Sequence, residues 1–189
     1  MKNIKKAFAL VAAFMAFGAS AMEQNYTIEE YQPARDKAEV EQILKDKWSQ
    51  AVWGPQGQTF DPTLANTLLN PVEPPPGSKT IDVARNAQAQ DGSKIAGFIT
   101  YISFEPIESE NLDLRTRRGY IELLLSKNPS VDQALRTHAI EKMKQRNPEK
   151  IEEFVMKNDN RTIELLKELG FQQVREGNFA RKFELNLKK

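Results

Sequence analysis

His138 is the only histidine of the sequence, and there is no cysteine. These counts remove the thiolate nucleophile, the thiolate metal site, the disulfide scaffold and the lipidated cysteine anchor, and leave little room for a His-rich zinc site. Among the carboxylates, Glu122 stands within the apolar run Tyr120-Ile121-Glu122-Leu123-Leu124-Leu125. Buried there, its pKa would rise and it could take a proton, directly or through water. Turned outward, or paired with a nearby lysine or arginine, the same carboxylate is structural. His138 falls one turn into the helix after this run and faces solvent or a neighbouring strand. Glu105, Glu108, Glu110 and Asp113 would suit a cationic amine, or form a solvated charged loop. Trp53 and Phe60 either line a pocket or pack in the core.

The chain that must position these groups has 189 residues, with 27 Lys+Arg against 26 Asp+Glu and a net charge of +1. That length suits one domain, or one domain with an appendage. A hydrophobic fraction of 40% and a charged fraction of 28% belong to a folded chain. The near-zero charge argues against a nucleic-acid binder that works through a strong attractive field.

The charge is unevenly placed. Lys2, Lys5 and Lys6 precede an apolar run from Ala7 to Phe17, and small residues follow at Gly18, Ala19, Ser20 and Ala21. This pattern is that of a secretory signal peptide at residues 1–21, cleaved after Ala21. The apolar run is too short to span a bilayer, so no stable membrane anchor is expected after cleavage. Without the leader the body, residues 22–189, holds 24 basic and 26 acidic groups. The expected location is therefore exported, periplasmic or secreted, with the cytoplasm as the alternative.

The body reads as alternating strands and helices. Tyr26 to Tyr31 alternates as a strand, and Pro33 and Asp36 open an amphipathic helix to Trp48. Asp61-Pro62 is a helix start, with the acid at the cap and proline in the first turn. Pro71 to Gly77 is a stiff connector. Thr80–Arg85 and Lys94–Phe104 form a hairpin around Gln90-Asp91-Gly92-Ser93. Gly119 to Ser126 is nearly continuously apolar and reads as a strand buried on both faces. A helix follows to about Arg146, then a strand at Ile151–Met156 and a helix at Asn160–Leu169 closed by Gly170. A last hairpin pairs Phe171–Val174 with Phe179–Leu187.

The run Phe154-Val155-Met156-Lys157-Asn158-Asp159-Asn160-Arg161-Thr162-Ile163-Glu164-Leu165-Leu166-Lys167-Glu168-Leu169-Gly170-Phe171 resembles the C-terminal motif of the GNAT superfamily of acyl-CoA N-acyltransferases. There a strand is followed by an Asn-led helix ending in Lys-x-x-Gly-Phe. The hairpin with Asp91-Gly92 and Lys94-Ile95-Ala96-Gly97-Phe98 and the opening Ile28–Trp48 resemble other parts of the family, so the likeness covers Tyr26 to Leu187. It implies an α/β (mixed α+β) fold: a GNAT-like central mixed sheet of about seven strands flanked by about four helices. It implies transfer of an acyl group from acetyl-CoA to a small-molecule or protein amine. No metal is expected, from the single histidine and the absence of cysteine, and a homodimer is possible.

Carried over residue by residue, the resemblance puts the fourth strand at Tyr120–Ser126, with Leu123, Leu124 and Leu125 beside the pantetheine arm. Around the pyrophosphate it places Ser130, Val131, Asp132, Gln133, Ala134, Leu135 and Arg136, at a helix N-terminus that suits anions. Asn158 or Asp159 stands for the Asn that opens the family's last helix, and Glu122 for the base. Three features depart from the family. Gln133 and Leu135 replace its glycines, Asp132 puts an acid where phosphate would sit, and Leu166 stands where a Tyr often protonates the thiolate. Acetyl-CoA is a cytoplasmic metabolite, so the leader conflicts with the implied donor. The alternative is an exported, catalytically degenerate GNAT-fold binding protein.

Overall fold

The computed structural model describes residues 26–51, 59–70, 77–86, 95–108 and 115–188. The leader, Trp53, the connector before Gly77, the Asp91-Gly92 turn, Glu110 and Asp113 lie outside the described residues. The strands are β1 (Tyr26–Glu30), β2 (Gly77–Asn86), β3 (Ile95–Phe104), β4 (Arg118–Ser126), β5 (Lys150–Met156), β6 (Gln172–Glu176) and β7 (Ala180–Asn186). The helices are α1 (Pro33–Asp46), α2 (Trp48–Ala51), α3 (Pro62–Leu68), α4 (Pro129–Lys144) and α5 (Asn160–Glu168).

All seven strands form one sheet in the order β1-β2-β3-β4-β5-β7-β6. Every pairing is antiparallel except β4 with β5, which is parallel and needs α4 as its crossover. The fold is the expected mixed α+β one. Among the described residues there are five helices rather than about four, because Lys47 interrupts the first helical run and leaves α2 as a separate turn.

Helices cover both faces of the sheet. On one face α4 and α5 bury Val131, Leu135, Ala139, Ile163 and Leu166 against Ile99, Tyr101, Ile121 and Ile151. On the other, α1, α2 and α3 bury Val40, Leu44, Trp48 and Ala65 against Val83, Phe98, Leu123 and Leu125. Local chemistry sets the helix ends. Asp61 accepts from the amides of Thr63 and Leu64, and Asn128 caps α4 through the amide of Val131. Gly170 closes α5 at φ +88°, a conformation that side chains disfavour. Gly119 lets α4 approach β4, since a Cβ there would lie 2.5 Å from the Met143 sulfur.

β4 is covered on both faces, as expected of a nearly continuous apolar run. Its burial alternates residue by residue. Thr100 pairs with Leu123 and Tyr101 with Ile121, so Glu122 is the extra residue of a β-bulge. The bulge reverses the side-chain alternation. Ile121 packs under α4, whereas Leu123 and Leu125 pack under α1. In a regular strand all three would share a face.

Candidate active site

The parallel pairing of β4 with β5 stops at Ile121 and Glu153. Beyond it β4 keeps to β3 as far as Ser126, while β5 keeps to β7 as far as Met156. The two strands part, and a cleft of about 630 Å³ opens between them. Residues 121–128 of β4 and its exit form one wall, and residues 153–156 of β5 the other. Lys47 and residues 49–51 lie at one end, and the starts of α4 and α5 at the other.

This cleft gathers Glu122, Leu123, Leu124, Leu125, Asp132, Arg136, Asn158 and Asp159. The other residues of the α4 segment do not line it. Val131 and Leu135 are fully buried in the core, Ala134 is half-buried, and Ser130 and Gln133 are exposed. The helical period explains this: positions 131, 135 and 139 follow the core-facing stripe of α4.

Glu122 projects from the bulge and is held on two sides. Lys79 Nζ lies 2.6 Å from its carboxylate, and the Thr100 hydroxyl donates to it at 3.1 Å. Lys79 is itself almost fully buried. The carboxylate thus combines the two sequence readings, since it lines the cleft and is also ion-paired. Tyr120, two residues earlier, stacks edge-on against Phe154. Burial, then the charges of Glu122, Glu153 and Glu152, push its phenol up to about 12, so it keeps its proton at neutral pH.

At the far end the charges interlock. Arg136 makes a bidentate pair with Glu153, with Nε to Oε2 at 3.1 Å and Nη2 to Oε1 at 2.7 Å. The two side chains are 3% and 6% exposed. Burial works against the Arg136 charge, and Glu153 more than offsets it. Its Nη1 is buried and finds no hydrogen-bond partner among the described residues. Burial raises the pKa of Asp132 against the opposing pull of Arg136.

The first turn of α4 is engaged at the Val131 and Asp132 amides. Asn128 Oδ1 accepts from the Val131 amide at 3.1 Å and from the Ser130 hydroxyl at 2.8 Å, and its Nδ2 donates to Tyr26. Pro129, at the first helical position, has no amide proton. Asp159 similarly caps α5 through the Thr162 amide. His138 lies away from the cleft, 3.2 Å from Asp82 of β2, whose carboxylate also accepts from Tyr101. Leu166 is completely buried. Among the described residues no group of three or more His, Cys, Asp or Glu could hold a metal, and no helix is long and apolar enough to cross a membrane.

Sequence reasoning missed Lys79, Glu153 and the α2 end of the cleft. Glu152 and Glu153 did carry a signal, as two adjacent acids inside the apolar strand Ile151–Met156, where burial requires each to find a cation. Lys150 and Lys182 answer Glu152, and Arg136 answers Glu153.

The sequence matches no protein-family model and no curated protein. Its fold matches solved N-acetyltransferases. The chain superposes on NAA60 of Arabidopsis thaliana, solved with a bisubstrate analogue, at a TM-score of 0.64 and 17% identity over 85% of this chain and 97% of the other. It matches a GCN5-related N-acetyltransferase from Kribbella flavida at 0.64 and 13%, over 87% and 99%. It matches the ribosomal-protein-alanine N-acetyltransferase of Brucella melitensis at 0.57 and 15%, over 85% and 99%.

Proposed function

We propose that this chain is a GNAT-type N-acyltransferase that moves an acyl group from a coenzyme A-type thioester to an amine. The observation that carries this reading is the cleft between the parted strands, which leaves the backbone of residues 122–126 beside a slot on the β5 side. An extended, amide-bearing arm can lie there, with its thioester near the bulge. Solved structures of the same fold hold acetyl-CoA or CoA, as in the acetyl-CoA complex of the Arabidopsis thaliana protein, which supports an acetyl donor.

In the proposed reaction the amine nitrogen attacks the thioester carbonyl. A C–N bond forms, the C–S bond breaks, and the products are an amide and a thiol. Glu122 accepts the proton the amine loses, and the departing thiolate takes one up. Lys79 and Thr100 fix the orientation of the Glu122 carboxylate at the edge of the cleft. With Leu166 in place of a phenolic acid, the leaving thiolate is protonated from solvent. Alignment of amine and thioester then supplies most of the acceleration.

A second reading, a catalytically degenerate binding protein of the same fold, is favoured by the buried Leu166 and the occupied first turn of α4. The test is thiol release from acetyl-CoA by the purified 189-residue chain across a panel of primary amines, polyamines and peptide N-termini. Amine-dependent release supports the enzyme. Binding without release on any amine supports the second reading. The same panel identifies the acceptor; a homodimer is part of the proposal only as a possibility that sedimentation of the chain decides. Export through residues 1–21 is also part of the proposal; a full-length, cytoplasmic product on fractionation would overturn it.

A further inference from the structure

Resting on the acyl-transfer reading, we infer that the cleft holds its donor by the neutral pantetheine arm alone and leaves the donor's phosphates outside. Thioesters of pantetheine without the nucleotide then serve as well as acetyl-CoA. Three observations lead there.

The first is charge. The cleft is lined by Lys47, Lys127, Arg136 and Arg161, and by Glu122, Asp132, Glu153 and Asp159. With Glu122 already paired to Lys79, the α4 and α5 end is left with three cations, Lys127, Arg136 and Arg161, against three anions, Asp132, Glu153 and Asp159, so there is no net field there for a polyanion. The second is the α4 N-terminus, where a phosphate would seek free amides. Asn128 takes the Val131 amide, Pro129 offers none, and Asp132 places a carboxylate one turn in. The third is Arg136. Its charge is already balanced by Glu153, yet Nη1 is buried without a partner on a residue that lines the cleft. A balanced guanidinium with a spare NH2 group suits an amide carbonyl, and the pantetheine arm carries two amides. A phosphate there would meet Glu153 and Asp132 as well.

The experiment measures binding by calorimetry on the full chain, so that it needs no acceptor. The probes are acetyl-CoA and S-acetyl-pantetheine. The expected dissociation constants lie within about tenfold of each other, and that for acetyl-CoA moves less than about twofold between 50 and 500 mM salt. Acetyl-CoA binding more than about tenfold tighter, or weakening steeply with salt, overturns the inference while the acyltransferase reading stands. Binding of neither probe overturns both.

Two variants sharpen the test. Asp132→Asn is expected to improve acetyl-CoA binding relative to S-acetyl-pantetheine by about tenfold, since it removes the carboxylate that keeps the phosphates out of the cleft. An unchanged ratio counts against the inference. Replacing the buried pair together, Arg136→Met with Glu153→Met, keeps the site apolar and filled, and should weaken S-acetyl-pantetheine about tenfold or more. Unchanged binding would overturn the role given to Arg136.

Discussion

Two of the buried guanidinium–carboxylate clusters among the described residues are built differently. At the β1 edge, Asp36 of α1 accepts from Arg35, Arg85 and the Gln32 amide, and Arg85 also reaches Glu29 of β1. Asp36 is fully buried, and its acceptor capacity is filled from three directions. In the cleft, Arg136 and Glu153 are equally buried, yet one guanidinium nitrogen is left without a partner and a second carboxylate, Asp132, stands nearby. A saturated cluster locks elements together. An incompletely satisfied one holds binding capacity in reserve, at some cost in stability.

The largest effect should come from the saturated cluster. Asp36→Ala leaves Arg85 buried with only part of its ion-pairing, and is expected to lower unfolding stability by about 3 kcal/mol or more in urea titrations. It should leave donor affinity unchanged. Burial alone would push Asp36 up, but the hydrogen bonds from Arg35, the Gln32 amide and Arg85 outweigh it and hold its pKa below the ordinary range. Its contribution is therefore present above the unfolded carboxylate range and lost as pH falls through the folded value. The variant's unfolding should accordingly be less sensitive to acid than that of the parent chain.

Next comes the bulge. Glu122→Gln should reduce turnover about a hundredfold, with donor binding retained. Equal turnover would remove Glu122 as the base. Asn128→Ala, at the α4 cap, should cost about 1 kcal/mol of stability and loosen the tie to Tyr26. The smallest effect carries the opposite sign. Asp132 has its pKa raised by burial, so it disfavours the native state once ionised. Stability falls as pH rises through that range, and Asp132→Asn should be slightly more stable than the parent at neutral pH. The gain should vanish in acid, below the unfolded carboxylate range. A cleft acid that proved stabilising would erase the contrast between the clusters.

The contrast also marks how far the sequence could be read. Helix caps are written in single residues, which is why Asp61-Pro62 and the Asn160–Gly170 helix were legible. The sheet's seven strands follow from alternation and turn residues. The bulge at Glu122 was hidden, because it is a property of register against β3, and nothing in the run from Tyr120 to Leu125 states where pairing skips a residue. Arg136 was legible as a cation near the site. That Glu153 would neutralise it depends on how α4 lies over β5, a long-range packing outcome. The parting of β4 from β5, on which the whole site depends, likewise has no local sequence signal.

The most direct test of the central claim is a map of backbone amide shifts in the full chain on addition of S-acetyl-pantetheine. The account predicts saturable shifts at residues 122–126 and 153–156 and at the Arg136 side chain, with Glu29, Asp36 and Arg85 unmoved. Saturation with shifts elsewhere, or none in the cleft at any donor concentration, would contradict it.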